Sequence, residues 1–437
     1  MSETPHFVSE TLLLDDRVRG VPPGVSGLPL EAVAEQNWRP ADGVMALPVL
    51  TLDEEAFAHN RDAMLRYARE QDVDIAPHAK TPMAPDLARS LIEAGAWGAT
   101  VADIRQASVL LRAGVTRLIL ANEVGGRGGA GRLAALLTAW PDAELYAFVD
   151  SAAAAQAYAE AWRAAPAAAP LRVLVELGAG RAGARSLAEA QAIVDVVVAH
   201  GGRLALSGVA AYEGSATPGS SGVRPVIAEL LGRAGDLLTI VRKQVGPHQP
   251  LLVTAGGSVF FDDVVAALKP VVDADGAARL VLRSGAIFFT DHGVYERALT
   301  ALDERGGFRL AGQTAKAAEI FRPALRLWAE VLSRPEPGLA VLGMGMRDVS
   351  FDQGLPRPLR LHRDGAPPRD IAPGSMTIEK LNDQHAFLAC GPDGDLRVGD
   401  VLELGISHPC TCLDRYRVLF GLGPDGRVRH AFPTFFG

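Results

Sequence analysis

A chain of 437 residues, with 48% hydrophobic and 22% charged residues, exceeds the usual size of one core and reads as an ordinary soluble globular protein of two domains. Its formal net charge of -8 leaves no basic footprint, which argues against nucleic acid as the main partner. The start, MSETPHFVSE, lacks a signal-peptide layout and no uninterrupted apolar stretch reaches the roughly 18 residues that span a bilayer, so no membrane partner and a cytoplasmic location are expected.

Residues 1–45 carry several Pro and Gly and read as an N-terminal extension packed on a C-terminal domain. Residues 46–298 alternate short apolar runs with Ala-, Leu- and Arg-rich helical patterns. Strands are predicted at 74–79, 98–102, 117–121, 144–149, 171–177, 204–212, 251–254 and 279–288. Helices are predicted between them at 84–94, 103–113, 129–139, 151–164, 186–200, 225–244 and 259–268. Eight strands separated by seven helices predict an α/β fold, a TIM-type (β/α)8 barrel; the alternative doubly wound sheet needs a topological switch point that nothing in the pattern marks. Residues 299–437 break into short runs punctuated by PEPG, GLPRP and GPDG, turn chemistry that predicts a mainly β C-terminal domain.

Lysine is scarce. Of 43 basic residues only Lys80, Lys243, Lys269, Lys316 and Lys380 are lysines, and Lys80 closes VDIAPHAK, the first predicted strand. A lysine amine attacks carbonyls only when deprotonated, and a sheltered strand end is where its pKa falls and a Schiff base forms. A solvated surface charge is the alternative reading.

Other polar residues fall at the same end of the predicted barrel. Thr254, Gly256, Gly257 and Ser258 follow the seventh strand, and Arg283, Ser284 and Gly285 end the eighth. Barrels hold phosphate at these loops because glycine lets backbone N–H groups approach the oxygens, although a tight turn uses the same residues. Arg181 follows the fifth strand and Tyr212 the sixth, placed to hold a cofactor ring or its phenolate oxygen, or else serving as ordinary loop residues.

The three cysteines, Cys390, Cys410 and Cys412, are too few for a disulfide framework and read as reduced thiols. In SHPCTC, His408 and Cys410 stand two apart, so on a strand both face one side; imidazole with thiolate suits zinc and leaves positions open for water or substrate. Pro409 argues against a central strand, Cys412 shares the parity of Cys410, and a buried thiol beside a satisfied histidine remains an alternative. Asn382, Asp383, Gln384 and His385 form a polar group that either reaches the site or makes a solvated loop.

Together, Pro77 to Thr81, Glu176 to Gly183, Ala211 to Ser215, Thr254 to Ser258, Asn382 to Phe387 and Gly405 to Arg417 resemble the D-serine dehydratase and D-threonine aldolase family. The resemblance runs from about Pro48 to the end. It implies pyridoxal phosphate on an alanine-racemase-like barrel, a second β domain and a homodimer. Lys80 would hold the cofactor, and His408 with Cys410 a divalent metal, zinc by expectation. Aldolase members carry aspartate where Cys410 stands, so the chain looks more like a carbon–oxygen lyase of the D-serine dehydratase type, acting on a small D-β-hydroxy amino acid such as D-serine, D-threonine or 3-hydroxy-D-aspartate. The alternatives are D-threonine aldolase activity and a non-catalytic pyridoxal phosphate carrier, the latter disfavoured by the second domain. The sequence departs from many relatives in having Thr81 and Pro82 after the lysine instead of a further histidine.

Overall fold

In the computed structural model, which describes residues 12–165, 169–216, 222–391 and 395–436, eight strands form one parallel sheet. They are Asp74–Ile75 (β1), Ala99–Val101 (β2), Arg117–Leu120 (β3), Glu144–Val149 (β4), Leu171–Leu177 (β5), Leu204–Ala211 (β6), Leu251–Ala255 (β7) and Ala278–Leu282 (β8). Successive strands from β2 to β8 are neighbours in the sheet, and β1 pairs β8. The ring closes just past β1, where Ala79 N–H donates to Thr100 O (2.8 Å) and Thr100 N–H to Pro77 O (2.9 Å). This is the TIM-type barrel expected from the alternation.

Parity along each strand decides which side chains fill the barrel. Ile119, Phe148, Leu174, Ala210, Leu252 and Val281 pack together inside it. Their neighbours Leu118, Leu120, Val149, Val173, Val175 and Val253 join the layer under the helices. Helix starts follow local chemistry: Asp103 accepts from Gln106 N–H (2.7 Å) and Asp53 from Ala56 N–H (2.9 Å), satisfying donors that no helical carbonyl reaches.

Two strands are shorter than the apolar runs suggest. β1 ends at Ile75, because Pro77 offers no N–H and the chain turns toward β2. β8 ends at Leu282, and Ala286–Phe288 is a 3-10 turn. Gly285 makes that turn possible, since a Cβ there would stand 2.5 Å from His78 O.

The C-terminal domain is an antiparallel sheet centred on Val401–Gly405, flanked by Leu325–Glu336 and Arg357–His362. Val49–Asp53, within the span expected for the barrel, is a strand of this sheet, pairing Leu325 to Trp328 and Val418–Leu422. The described part of the N-terminal extension packs there too: Leu14, Val18, Val33 and Trp38 share a core with Trp328, Phe420 and Val428. Residues 1–11 of the extension lie outside the described residues. Among the described residues, no helix is long and apolar enough to cross a membrane.

Candidate active site

A cavity of about 300 Å³ opens at the C-terminal ends of the barrel strands, closed on one side by His408 and Cys410 of the β domain. The size suits a small organic ligand. Of the residues singled out from the sequence, Lys80, Arg181, Tyr212, Gly256, Gly257, Ser258, Gly285, His408 and Cys410 line it. Thr254 and Ser284 stand behind the wall, both fully buried. The Thr254 hydroxyl donates to Val281 O (2.8 Å) and accepts from Arg283 (2.9 Å), and Ser284 donates to Gly257 O (2.8 Å). These two residues brace the cavity and do not face a ligand in it.

Cations dominate the barrel side. Lys80 sits in the turn that follows ring closure, half-buried. Burial pushes its pKa down, and Arg181 and Arg283 do the same against the raising effect of Cys410. Arg283 is buried, lies 5.3 Å from the Phe148 ring and donates to Ala211 O (2.8 Å). Arg181 stacks over Tyr212 at 5.2 Å. Among the described residues, neither Lys80 nor Arg283 makes a hydrogen bond to a carboxylate. Burial makes both cations costly, Glu213 offsets Arg283 only through space, and an anionic ligand lowers that cost further. Arg283 is the most enclosed cation of the site.

The glycine loop carries a difference from expectation. Gly256 N–H (3.0 Å) and Gly257 N–H (2.6 Å) both donate to the buried carboxylate of Glu213, which follows β6. These two donors already satisfy a protein anion, so the glycines shape the loop and a phosphate must take other donors. Ser258 is the adjacent candidate: its hydroxyl accepts from Gly285 N–H and Ile287 N–H (3.2 Å each) and hydrogen-bonds the Tyr295 phenol. Tyr295 lies at the start of the helix Val294–Glu304, where no sequence pattern singled it out.

Beneath the cations, Glu176 at the end of β5 is buried and hydrogen-bonded to Glu123. Burial, then that bond and the Glu123 charge, push the Glu176 carboxyl up to about 9, so the pair shares a proton. One oxygen of each, Glu123 Oε1 and Glu176 Oε2, has no partner among the described residues.

On the β-domain side, His408 and Cys410 are not on a strand. Val401–Gly405 ends first, and Cys410–Leu413 is a single helical turn entered through Pro409. The two side chains still meet, because the turn folds Cys410 back within hydrogen-bond reach of His408. Helical geometry also separates the thiols: Cys412 is fully buried away from the cavity and its thiol is pushed up to about 12 by burial, so it is not the ligand that equal parity allowed. His408 Nδ1 lies 2.6 Å from Asp352 Oδ2, and Thr81 Oγ1 lies 3.3 Å from Cys410 Sγ. Burial disfavours the charged imidazole, but Cys410 and Asp352 together outweigh it and raise His408 to about 9. Among the described residues, no group of three or more His, Cys, Asp or Glu side chains is arranged around an ion. The protein offers a two-ligand imidazole–thiol pair, a donor set that suits a borderline-soft divalent ion with open positions. Asn382 to His385 form an exposed hairpin turn, closed by Asn382 N–H to His385 O (2.8 Å), outside the cavity wall.

Both halves of the chain resemble known proteins. The profile of the alanine racemase N-terminal domain matches residues 52–258, and that of the putative serine dehydratase domain matches residues 324–422. The chain is 26% identical over 368 residues to a D-threonine aldolase of Arthrobacter sp., covering 83% of this chain and 85% of that one. The solved D-threonine aldolase from Filomicrobium marinum superimposes with a TM-score of 0.68 at 24% identity, over 90% of this chain and 96% of that one. The D-threo-3-hydroxyaspartate dehydratase from Delftia sp. does so with a TM-score of 0.64 at 20% identity, over 91% and 99%. An alanine racemase N-terminal domain followed by a putative serine dehydratase domain is thus what the chain carries, a makeup similar to that of the D-threonine aldolase and D-threo-3-hydroxyaspartate dehydratase it resembles.

Proposed function

We propose that the protein is a pyridoxal phosphate- and metal-dependent dehydratase that converts a D-β-hydroxy amino acid, D-serine, D-threonine or 3-hydroxy-D-aspartate, to a 2-oxo acid and ammonia. The observation that carries the reading is Cys410 beside His408, facing Lys80 across one cavity. The residues present fit both groups. Lys80 supplies an amine of lowered pKa, Arg181, Arg283 and Ser258 suit a phosphorylated anion, and His408 with Cys410 suits zinc. The mutated histidine and cysteine of the D-threo-3-hydroxyaspartate dehydratase variants, one of them described as metal-free, stand two residues apart, the spacing of His408 and Cys410.

Bound pyridoxal phosphate supplies an electron sink for a carbanion at Cα, and the metal supplies Lewis acidity at the β-hydroxyl. Lys80 would hold the cofactor, and its neutral amine would accept the proton from the substrate α-carbon. Burial among cations keeps that amine from holding a proton as firmly as a solvated lysine does. Arg283 would stabilise negative charge in the cavity, and Thr81 orients the Cys410 thiol. Water lost from the β-position is returned when the product nitrogen is hydrolysed, so the net change is release of ammonia.

Retro-aldol cleavage to glycine and an aldehyde is the second reading, favoured by the likeness to D-threonine aldolases. Incubation with pyridoxal phosphate, Zn²⁺ and each of the three D-amino acids decides between them. Keto acid with ammonia is the expected product; acetaldehyde and glycine from D-threonine without keto acid reverses the assignment.

A further inference from the structure

The segment that carries His408 and Cys410 is clamped from the side by a loop whose residues lie more than fifty positions earlier. The Ser407 hydroxyl donates to Gly354 O (2.6 Å), His408 Nδ1 lies 2.6 Å from Asp352 Oδ2, and the Thr411 hydroxyl donates to Asp352 Oδ1 (2.7 Å). One carboxylate therefore holds the residues on both sides of Pro409 and Cys410. An ionised carboxylate only accepts, so the imidazole nitrogen facing it carries the hydrogen, and a neutral His408 presents the lone pair of Nε2. The Asp352 side chain is 42% exposed and that of His408 23%, so the contact adds little to the stability of the fold. Its use lies in orientation.

We infer that Asp352 is the positioning residue of the metal site: it fixes the tautomer and direction of His408 and, through Thr411, the turn that presents Cys410. This rests on the reading of His408 and Cys410 as metal ligands. A metal ligand whose other ring nitrogen is held by a carboxylate binds about 10- to 100-fold more tightly than one without it.

The test is equilibrium dialysis of chelator-stripped protein against Zn²⁺ and, separately, Mn²⁺, with bound metal measured by mass spectrometry and melting temperature recorded in the stripped state. Wild type should take up metal, Asp352→Ala should bind it about 10- to 100-fold more weakly with an unchanged stripped melting temperature, and Asp352→Asn, which keeps an uncharged acceptor for the Nδ1 hydrogen, should fall between. If Asp352→Ala melts earlier when stripped, Asp352→Asn and Thr411→Val carry the comparison, each expected to bind more weakly than wild type. Wild-type uptake matched within about twofold by the folded Asp352 variants overturns the positioning role and leaves the metal site standing. No uptake by wild type overturns the metal reading and this inference with it.

Discussion

The two sides of the cavity are built on opposite electrostatic plans. The barrel side presents Lys80, Arg181 and Arg283, with carboxylates kept off the two more enclosed cations. The β-domain side presents His408 with its own carboxylate, Asp352, on a more exposed loop. The first arrangement favours an anionic ligand; the second already carries its own carboxylate. On the proposed function this difference is a division of labour: the barrel would hold the cofactor and begin the chemistry, and the β domain would choose which bond breaks next.

The strongest way to break this division is Lys80→Ala. Removing both the covalent anchor and the proton acceptor should lower turnover of every accepted substrate by at least about 10²- to 10⁴-fold, measured as keto acid release. Arg181→Met sharpens the barrel half: loss of one charge-assisted hydrogen bond, about 1.5–3 kcal/mol, should weaken pyridoxal phosphate binding about 10- to 150-fold in an absorbance titration. An unchanged affinity would remove Arg181 from the anion site.

The pair beneath the cations gives a pH signature. In the folded protein Glu176 keeps its proton up to about pH 9, whereas unfolded it ionises near the ordinary carboxylate value of 4.5. The folded state therefore binds more protons between those values, and stability falls as pH rises through that window, by at most about 1.4 kcal/mol per pH unit. Glu176→Gln removes this slope, so the variant should gain on wild type in denaturant midpoint from pH 6 to 8.5. A wild-type midpoint that rises over that range contradicts the shared proton. The smallest effect is expected at the junction of the two sides. Thr81→Val deletes one hydrogen bond to Cys410, about 0.5–1.5 kcal/mol, and should lower kcat about 2- to 12-fold without moving cofactor affinity.

Much of the barrel was legible because burial there follows a simple period. Short apolar runs alternating with helical patterns mark all eight strands, and errors fall at ends where Pro77 and Gly285 bend the chain. Lys80, Arg181 and Tyr212 were readable because strand ends of a barrel point at one mouth. What the sequence hid are contacts between segments far apart in the chain. Glu213 taking the Gly256 and Gly257 donors, Tyr295 on Ser258 and Asp352 on His408 depend on which loops meet, and no local spacing records that. His408 and Cys410 were found for a partly wrong reason: strand parity suggested a common face, and a one-turn helix supplies it.

The division of labour is tested most directly by titrating pyridoxal phosphate into wild type, Lys80→Ala and Cys410→Ala and recording, on the same samples, the visible absorption of lysine-bound cofactor and keto acid formation from D-serine, D-threonine and 3-hydroxy-D-aspartate. The account predicts that Lys80→Ala loses the band and the activity, whereas Cys410→Ala keeps the band and loses the keto acid. A band that survives in Lys80→Ala, or full keto acid formation by Cys410→Ala, would contradict it.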